Sequence, residues 1–283
     1  MNDEPQVRSM SARELRERIN TRSESEHDLI DVRQPSEYEA GHIPGAKLIP
    51  LRELPARLGE LHPDREQIFY CSVGGRSLAA AIMAAESGGF PKGVSNLEGG
   101  IKAWDGKSLP DRPPVRLFGG RATRREAILT ALELEKGSWR FYTELLKEPP
   151  GGFACATLQD LAEAKKGNAA LLHDRLKKMS SEEQAEGVAP FETVFDNLAG
   201  GILASGDDLA PLLDWVKKTR EDCAQLVAFA VELEYKAYDL YRNLAFDARG
   251  VEEEQAFLEL CDREKRLIAR LAGEMDAAMD RAA

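Results

Sequence analysis

The densest chemistry in the sequence lies in Tyr70-Cys71-Ser72-Val73-Gly74-Gly75-Arg76-Ser77. An apolar run ends at a cysteine, a short loop with two glycines follows, and Leu78–Ala85 then reads as a helix. A loop that opens a helix turns several backbone N–H groups inward, and the helix N-terminus adds partial positive charge. A cysteine at the start of such a loop, with the Arg76 guanidinium near it, is driven toward the thiolate, which is the nucleophilic form. Gly74 and Gly75 let the backbone curl tightly. A buried cysteine that ends a strand before a glycine turn fits this short pattern equally well.

Stepping outward from the loop, Leu29–Val32 and Ile68–Cys71 read as strands, and residues 11–20 and 77–87 as helices. That alternation predicts an α/β domain with a mainly parallel sheet. Three prolines and two glycines between Leu109 and Arg121 mark a linker. Beyond it, Ala/Leu/Glu/Lys-rich segments at about 122–148, 156–179, 207–247 and 251–281 predict a helical bundle. The expected organisation is therefore a domain over 1–108, a linker over 109–121 and a four-helix bundle over 122–283. The stretch 180–206 should cross that bundle, with a short helix near 190–199.

Three segments resemble the rhodanese family in order and spacing. Leu29-Ile-Asp31-Val-Arg33-Gln-Pro35-Ser-Glu37-Tyr38-Glu-Ala-Gly41-His42-Ile43-Pro44-Gly45-Ala46 resembles its entry motif. Cys71–Ser77 resembles its active-site loop, and Asn96-Leu-Glu-Gly99-Gly100-Ile-Lys-Ala-Trp104 its closing motif. The resemblance spans about residues 8–108. It implies a sulfurtransferase in which Cys71 takes the outer sulfur of a donor such as thiosulfate and passes it to cyanide, a thiol or a protein cysteine. It assigns Ser72, Val73, Gly74, Gly75, Arg76 and Ser77 to the substrate. Their N–H groups would stabilise the thiolate and the persulfide, Arg76 would bind the anionic donor, and Ser77 would help hold the loop. Four residues separate Cys71 from Arg76. Phosphatases and arsenate reductases with a related cradle have a longer loop, which accommodates a tetrahedral oxyanion, so sulfur is the better fit here. Asp31 and Arg33 read as a brace between loops, His42 as structural, and Trp104 as a core residue closing the domain.

The second half contains an internal repeat at an offset of 99 residues, in which Ala131, Glu133, Leu134, Glu135, Tyr142 and Leu145 recur as Ala230, Glu232, Leu233, Glu234, Tyr241 and Leu244. Two similar helical hairpins are expected. The pattern resembles the rubrerythrin branch of the ferritin-like family, which implies a Glu on the first helix of each half and a Glu-x-x-His on the second, holding two metal ions. Glu135 and Glu234 match the first-helix positions. The other positions hold Lys165 and Asn168 in one half and Glu264 and Leu267 in the other. His173 lies five positions past Asn168, roughly 500° around the helix, and so faces elsewhere. Three carboxylates near a dry core repel one another without a cation, so Lys165 is expected to pair with Glu135, Glu234 or Glu264. No metal and no other cofactor is expected. A weak carboxylate-only metal site is the alternative.

Charge and cysteine usage exclude other classes. The net charge of −11 divides into −2 over residues 1–120 and −9 over 121–283, so neither part has the basic excess of a nucleic-acid or anionic-membrane binder. Cys71, Cys155, Cys223 and Cys261 contain no CxxC pair. Cys223 and Cys261 read as buried in helices, Cys155 as a loop residue, and His27 and His62 as carrying no signal. The polar N-terminus and the absence of a long apolar run predict a cytoplasmic protein. Two alternatives to the enzyme stay open: a sulfur-carrying or sulfur-sensing module whose helical domain drives homodimerisation or partner binding, and a di-metal redox protein.

Overall fold

The computed structural model describes residues 7–119, 123–147, 155–182, 187–219 and 223–282. The chain forms two compact units, Met1–Arg112 and Pro113–Ala283.

The first unit is built on five parallel strands: β1 (Val7–Met10), β2 (His27–Asp31), β3 (Lys47–Leu48), β4 (Glu66–Tyr70) and β5 (Val94–Leu97). Their order across the sheet is β1-β5-β4-β2-β3. All residues of β2 and β5 are buried, as expected for strands covered on both faces. The helices are α1 (Ala12–Thr21), α2 (Pro35–Glu39), α3 (Leu54–Arg57) and α4 (Gly75–Glu86). A capping box between Ser11 and Glu14 starts α1 and satisfies backbone donors that the first turn leaves open. Met10, Leu15, Leu29, Tyr38, Ile68, Tyr70 and Leu97 share one core cluster.

The strand order decides where a site forms. After β2 the chain moves outward to β3, and after β4 it moves the other way to β5. The loops beyond the carboxyl ends of β2 and β4 therefore diverge and leave a crevice, the usual ligand position in open parallel sheets. Both strands end one residue earlier than the sequence predicts, at Asp31 and Tyr70, so Cys71 stands just past the ladder at this edge.

The predicted linker 109–121 contains the boundary between the units. Leu109 exchanges two backbone hydrogen bonds with His42 in the first unit. Phe118, at the end of a 3₁₀ turn, is buried in the second. Residues 120–122 lie outside the described residues.

The second unit is helical: α5 (Arg124–Lys147), α6 (Cys155–Glu182), α7 (Phe191–Asn197), α8 (Leu209–Thr219), α9 (Cys223–Phe246) and α10 (Val251–Ala282). α5 packs on α6, α9 on α10, and α6 on α10. Within the helical run expected over 207–247, helix is described over Leu209–Thr219 and Cys223–Phe246, and residues 220–222 lie outside the described residues. Cys155 opens α6 instead of lying in a loop. The side chains of Cys155 and Cys223 are not among those described; Cys261 is buried. No described helix is long and apolar enough to cross a membrane.

Candidate functional site

Cys71 follows β4 directly, and its loop runs into α4 at Gly75. Gly74 caps that helix with φ 97°, a left-handed conformation that glycine adopts without strain. This turn aims the Gly74 N–H at Cys71 Sγ, 3.1 Å away. The Ser77 hydroxyl reaches the same sulfur at 3.4 Å and the Gly74 carbonyl at 3.1 Å. Burial alone would push the Cys71 thiol up. The Ser77 hydroxyl and the backbone N–H groups of Ser77, Val73 and Gly74 outweigh it and hold the thiol below its ordinary value.

The closing segment backs this loop. The N–H groups of Ile101 and Lys102 donate to the carbonyls of Cys71 and Ser72, at 2.8 and 3.2 Å. Gly100 has φ 60°, and a Cβ there would lie 2.3 Å from the Cys71 carbonyl oxygen. Only glycine lets the two backbones approach this closely. That segment thus holds the loop by its carbonyls.

Arg76 is engaged at the rim. Its two terminal nitrogens meet both carboxylate oxygens of Glu37 at 2.8 and 2.6 Å, and Ser72 Oγ at 2.9 Å. Ser72 Oγ donates in turn to Glu37 at 2.8 Å. The Arg76 guanidinium, with these hydrogen bonds, holds the Glu37 carboxyl down to about 2. Arg76 also feels the Cys71 sulfur, which adds to the upward pull that Glu37 exerts on its own ionisation. The sequence reading leaves Arg76 open for an anionic donor; in the structure Glu37 fills that place. Glu37 sits on α2, beyond β2, so the crevice between β2 and β4 is what unites them. A signal for it exists in the sequence: a guanidinium in the first turn of a helix meets the positive end of the dipole and calls for a carboxylate.

Asp31 and Arg33 lie behind this rim. Arg33 Nε donates to both Asp31 oxygens at 3.0 and 2.9 Å, and its terminal nitrogen reaches Asp31 at 2.6 Å and the Gly41 carbonyl at 2.7 Å. Both side chains are buried, so the pair braces the turn after β2 against the Gly41 turn. His42 stacks on Tyr38, ring centroids 3.8 Å apart. Trp104 donates to the Lys107 carbonyl. His62 contacts Asp28 at 2.8 Å, beside Arg65, near the opposite edge of the sheet.

A second polar cluster is buried in the helical unit. The Lys165 ammonium lies 2.8 and 2.7 Å from the two Glu264 oxygens and also pairs with Glu234. Asn168 donates to Glu135 at 3.1 Å and Glu264 at 2.9 Å. The tyrosines cross over: Tyr142 donates to Glu234 and Tyr241 to Glu135, so each half of the repeat caps the carboxylate of the other. Burial pushes Glu264 well up and Glu135 up, while Lys165, outweighing burial, holds Glu234 below its ordinary value. His173 faces elsewhere and meets the Ala189 carbonyl at 2.8 Å. These residues do not fit a pair of metal ions. An ammonium stands among the carboxylates, and the Asn168 amide occupies oxygens of two of them.

The rhodanese-like domain family matches residues 11–107. A protein of Allochromatium vinosum named Sulfurtransferase is 39% identical over 82 residues, covering 29% of this chain and 75% of that protein. The chain belongs to the rhodanese-like family. The rhodanese-like chain is also 44% identical over 79 residues to the protein YqhL of Bacillus subtilis, covering 28% of itself and 61% of YqhL. It spans 30% of a rhodanese-like/PpiC domain-containing protein of Arabidopsis thaliana, at 41% identity. A solved rhodanese-like domain protein from Staphylococcus aureus is 29% identical, covers 37% of this chain and 99% of its own, and superposes with a TM-score of 0.33.

Proposed function

We propose that the N-terminal unit is a sulfurtransferase that carries sulfane sulfur as a persulfide on Cys71. The observation behind this reading is the ring of donors around one sulfur: the Gly74 amide and the Ser77 hydroxyl on Sγ, with burial overcome and the thiol held below its ordinary value. The Cys71 thiolate attacks the outer sulfur of the donor. The S–S bond forms as the donor's own bond to that sulfur breaks, and the bonding pair leaves with sulfite or a thiolate. A cyanide or thiolate acceptor then attacks the outer sulfur of the persulfide, and Cys71 leaves as the thiolate again. The same donors serve every charged state, because the negative charge stays at the mouth of the loop. The Allochromatium vinosum relative is itself named Sulfurtransferase.

The helical unit is proposed as a degenerate rubrerythrin-like bundle whose role is assembly, as a homodimer. The reciprocal Tyr–Glu bonds at the 99-residue offset support a duplicated hairpin.

Mass spectrometry after treatment with excess thiosulfate or inorganic polysulfide tests the central step. The peptide containing Cys71 should gain one sulfur atom, and cyanide should remove it as thiocyanate. An unmodified Cys71 under both donors would end this reading.

A further inference from the structure

We propose that Glu37 is a specificity-determining residue that turns the Cys71 loop away from thiosulfate and toward organic persulfides. This deepens the sulfur-transfer reading and rests on it. Arg76 is the cation next to Cys71, so it is the group that would meet the sulfonate end of an inorganic donor. Both of its terminal nitrogens are already engaged by the two oxygens of one carboxylate. The pair is only partly screened by solvent, with side chains 37% and 33% exposed, so an arriving ligand meets it directly. Thiosulfate brings two negative charges to a rim where Glu37 neutralises the cation beside Cys71. It would also have to displace a bidentate, charge-assisted pair that Ser72 reinforces from both sides.

The rest of the mouth favours an organic body. Val73 in the loop is 60% exposed, and Leu78 in the first turn of α4 and Ile82 one turn on are 45% and 40% exposed. Leu78, Ala79 and Ile82 form an uncharged exposed strip on α4, bounded by Arg76 and Glu86. Apolar contact there is available to a carbon chain and not to an inorganic dianion.

The donor step balances for a persulfide. The Cys71 thiolate attacks the outer sulfur of R–S–S⁻, the new S–S bond forms, the donor S–S bond breaks, and R–S⁻ leaves with the bonding pair. One monoanion enters and one leaves, so no dianion has to be held or expelled at the rim.

Glu37→Gln separates this role from a structural one. Glutamine can keep the N3 position of the capping box that starts α2, where Glu37 accepts from the Gln34 N–H. With cyanide as acceptor, kcat/KM is measured for thiosulfate and for the persulfide of 2-mercaptoethanol. E37Q should raise the thiosulfate value about tenfold, the scale of removing one unit charge from the path of a dianion in salt. The persulfide carries half that charge, so its value should rise only about threefold. An equal change for both donors, or a fall for thiosulfate alone, would overturn the proposal. Wild type supplies a second measurement that needs no variant. Its thiosulfate kcat/KM should not fall between about 20 and about 200 mM salt, because Glu37 already neutralises the cation beside Cys71. A several-fold fall would sink the assignment of Glu37. Absence of any persulfide on Cys71 with either donor would instead sink the sulfur-transfer reading itself.

Discussion

Each unit of this protein holds a cation–carboxylate pairing beside its most polar cluster, and the two differ in their access to solvent. In the first, Arg76 meets Glu37 at a partly exposed rim, beside a sulfur surrounded by N–H and O–H donors. In the second, Lys165 meets Glu234 and Glu264 with all three side chains buried. A rim pair can exchange partners with an arriving ligand, because water compensates each group while it moves. A buried pair cannot, because each separated charge would meet the full desolvation cost. The difference teaches that solvent access, more than the identity of the ion pair, separates a site from a structural element.

The strongest way to break the comparison is to remove the sulfur. Cys71→Ser should reduce sulfur transfer from thiosulfate to cyanide to background while leaving the urea midpoint unchanged. Retained turnover would mean that the chemistry lies elsewhere. The next largest effect belongs to the buried cluster. Lys165→Met leaves carboxylates without their cation and should cost roughly 3–5 kcal/mol at pH 7 in urea unfolding. The sign with pH follows from the protons. Glu264 and Glu135 hold protons in the native state at pH values where they lose them when unfolded. The native state then binds more protons, so acid favours it above the unfolded carboxylate value near 4.3. The variant's penalty should therefore be smaller at about pH 5 than at pH 7. A penalty that is flat or grows toward acid contradicts the charge network.

A smaller effect sharpens the reading of the loop. The rate of Cys71 alkylation by iodoacetamide should titrate with a midpoint below the free-thiol value of about 8.5. Ser77→Ala removes the hydroxyl on Sγ and should move that midpoint upward, slowing alkylation at neutral pH several-fold. A midpoint unmoved by S77A would assign the thiol's depression to the backbone amides alone. The mildest change is Glu264→Gln. A glutamine resembles the protonated carboxyl that burial favours, so the cost at pH 7 should stay near or below about 1 kcal/mol. A loss as large as that of K165M would mean that Glu264 carries its charge in the native state.

How far the sequence could be read varies from element to element. The loop from Cys71 to Ser77 was legible because its contacts join residues within six positions, where chain geometry leaves few alternatives. The brace of Asp31 with Arg33 spans only two positions and was legible for the same reason. Glu37 was missed as a partner of Arg76 because 39 residues separate them. Lys165 was expected among the carboxylates, yet the choice of Glu234 and Glu264, and the crossing of Tyr142 and Tyr241, could not be read from spacing.

The sequence by itself determined the local chemistry: a cysteine at a strand end, a glycine turn and a helix whose first amides turn toward the sulfur. Hydrogen bonds across a few residues depend on dihedral preferences that the side chains themselves impose. Only the tertiary structure decided which charges meet. The diverging loops after β2 and β4 bring Glu37 to Arg76, and helix packing places Lys165 between the two halves of the repeat. Charge pairing falls off with distance in space and takes no account of separation along the chain.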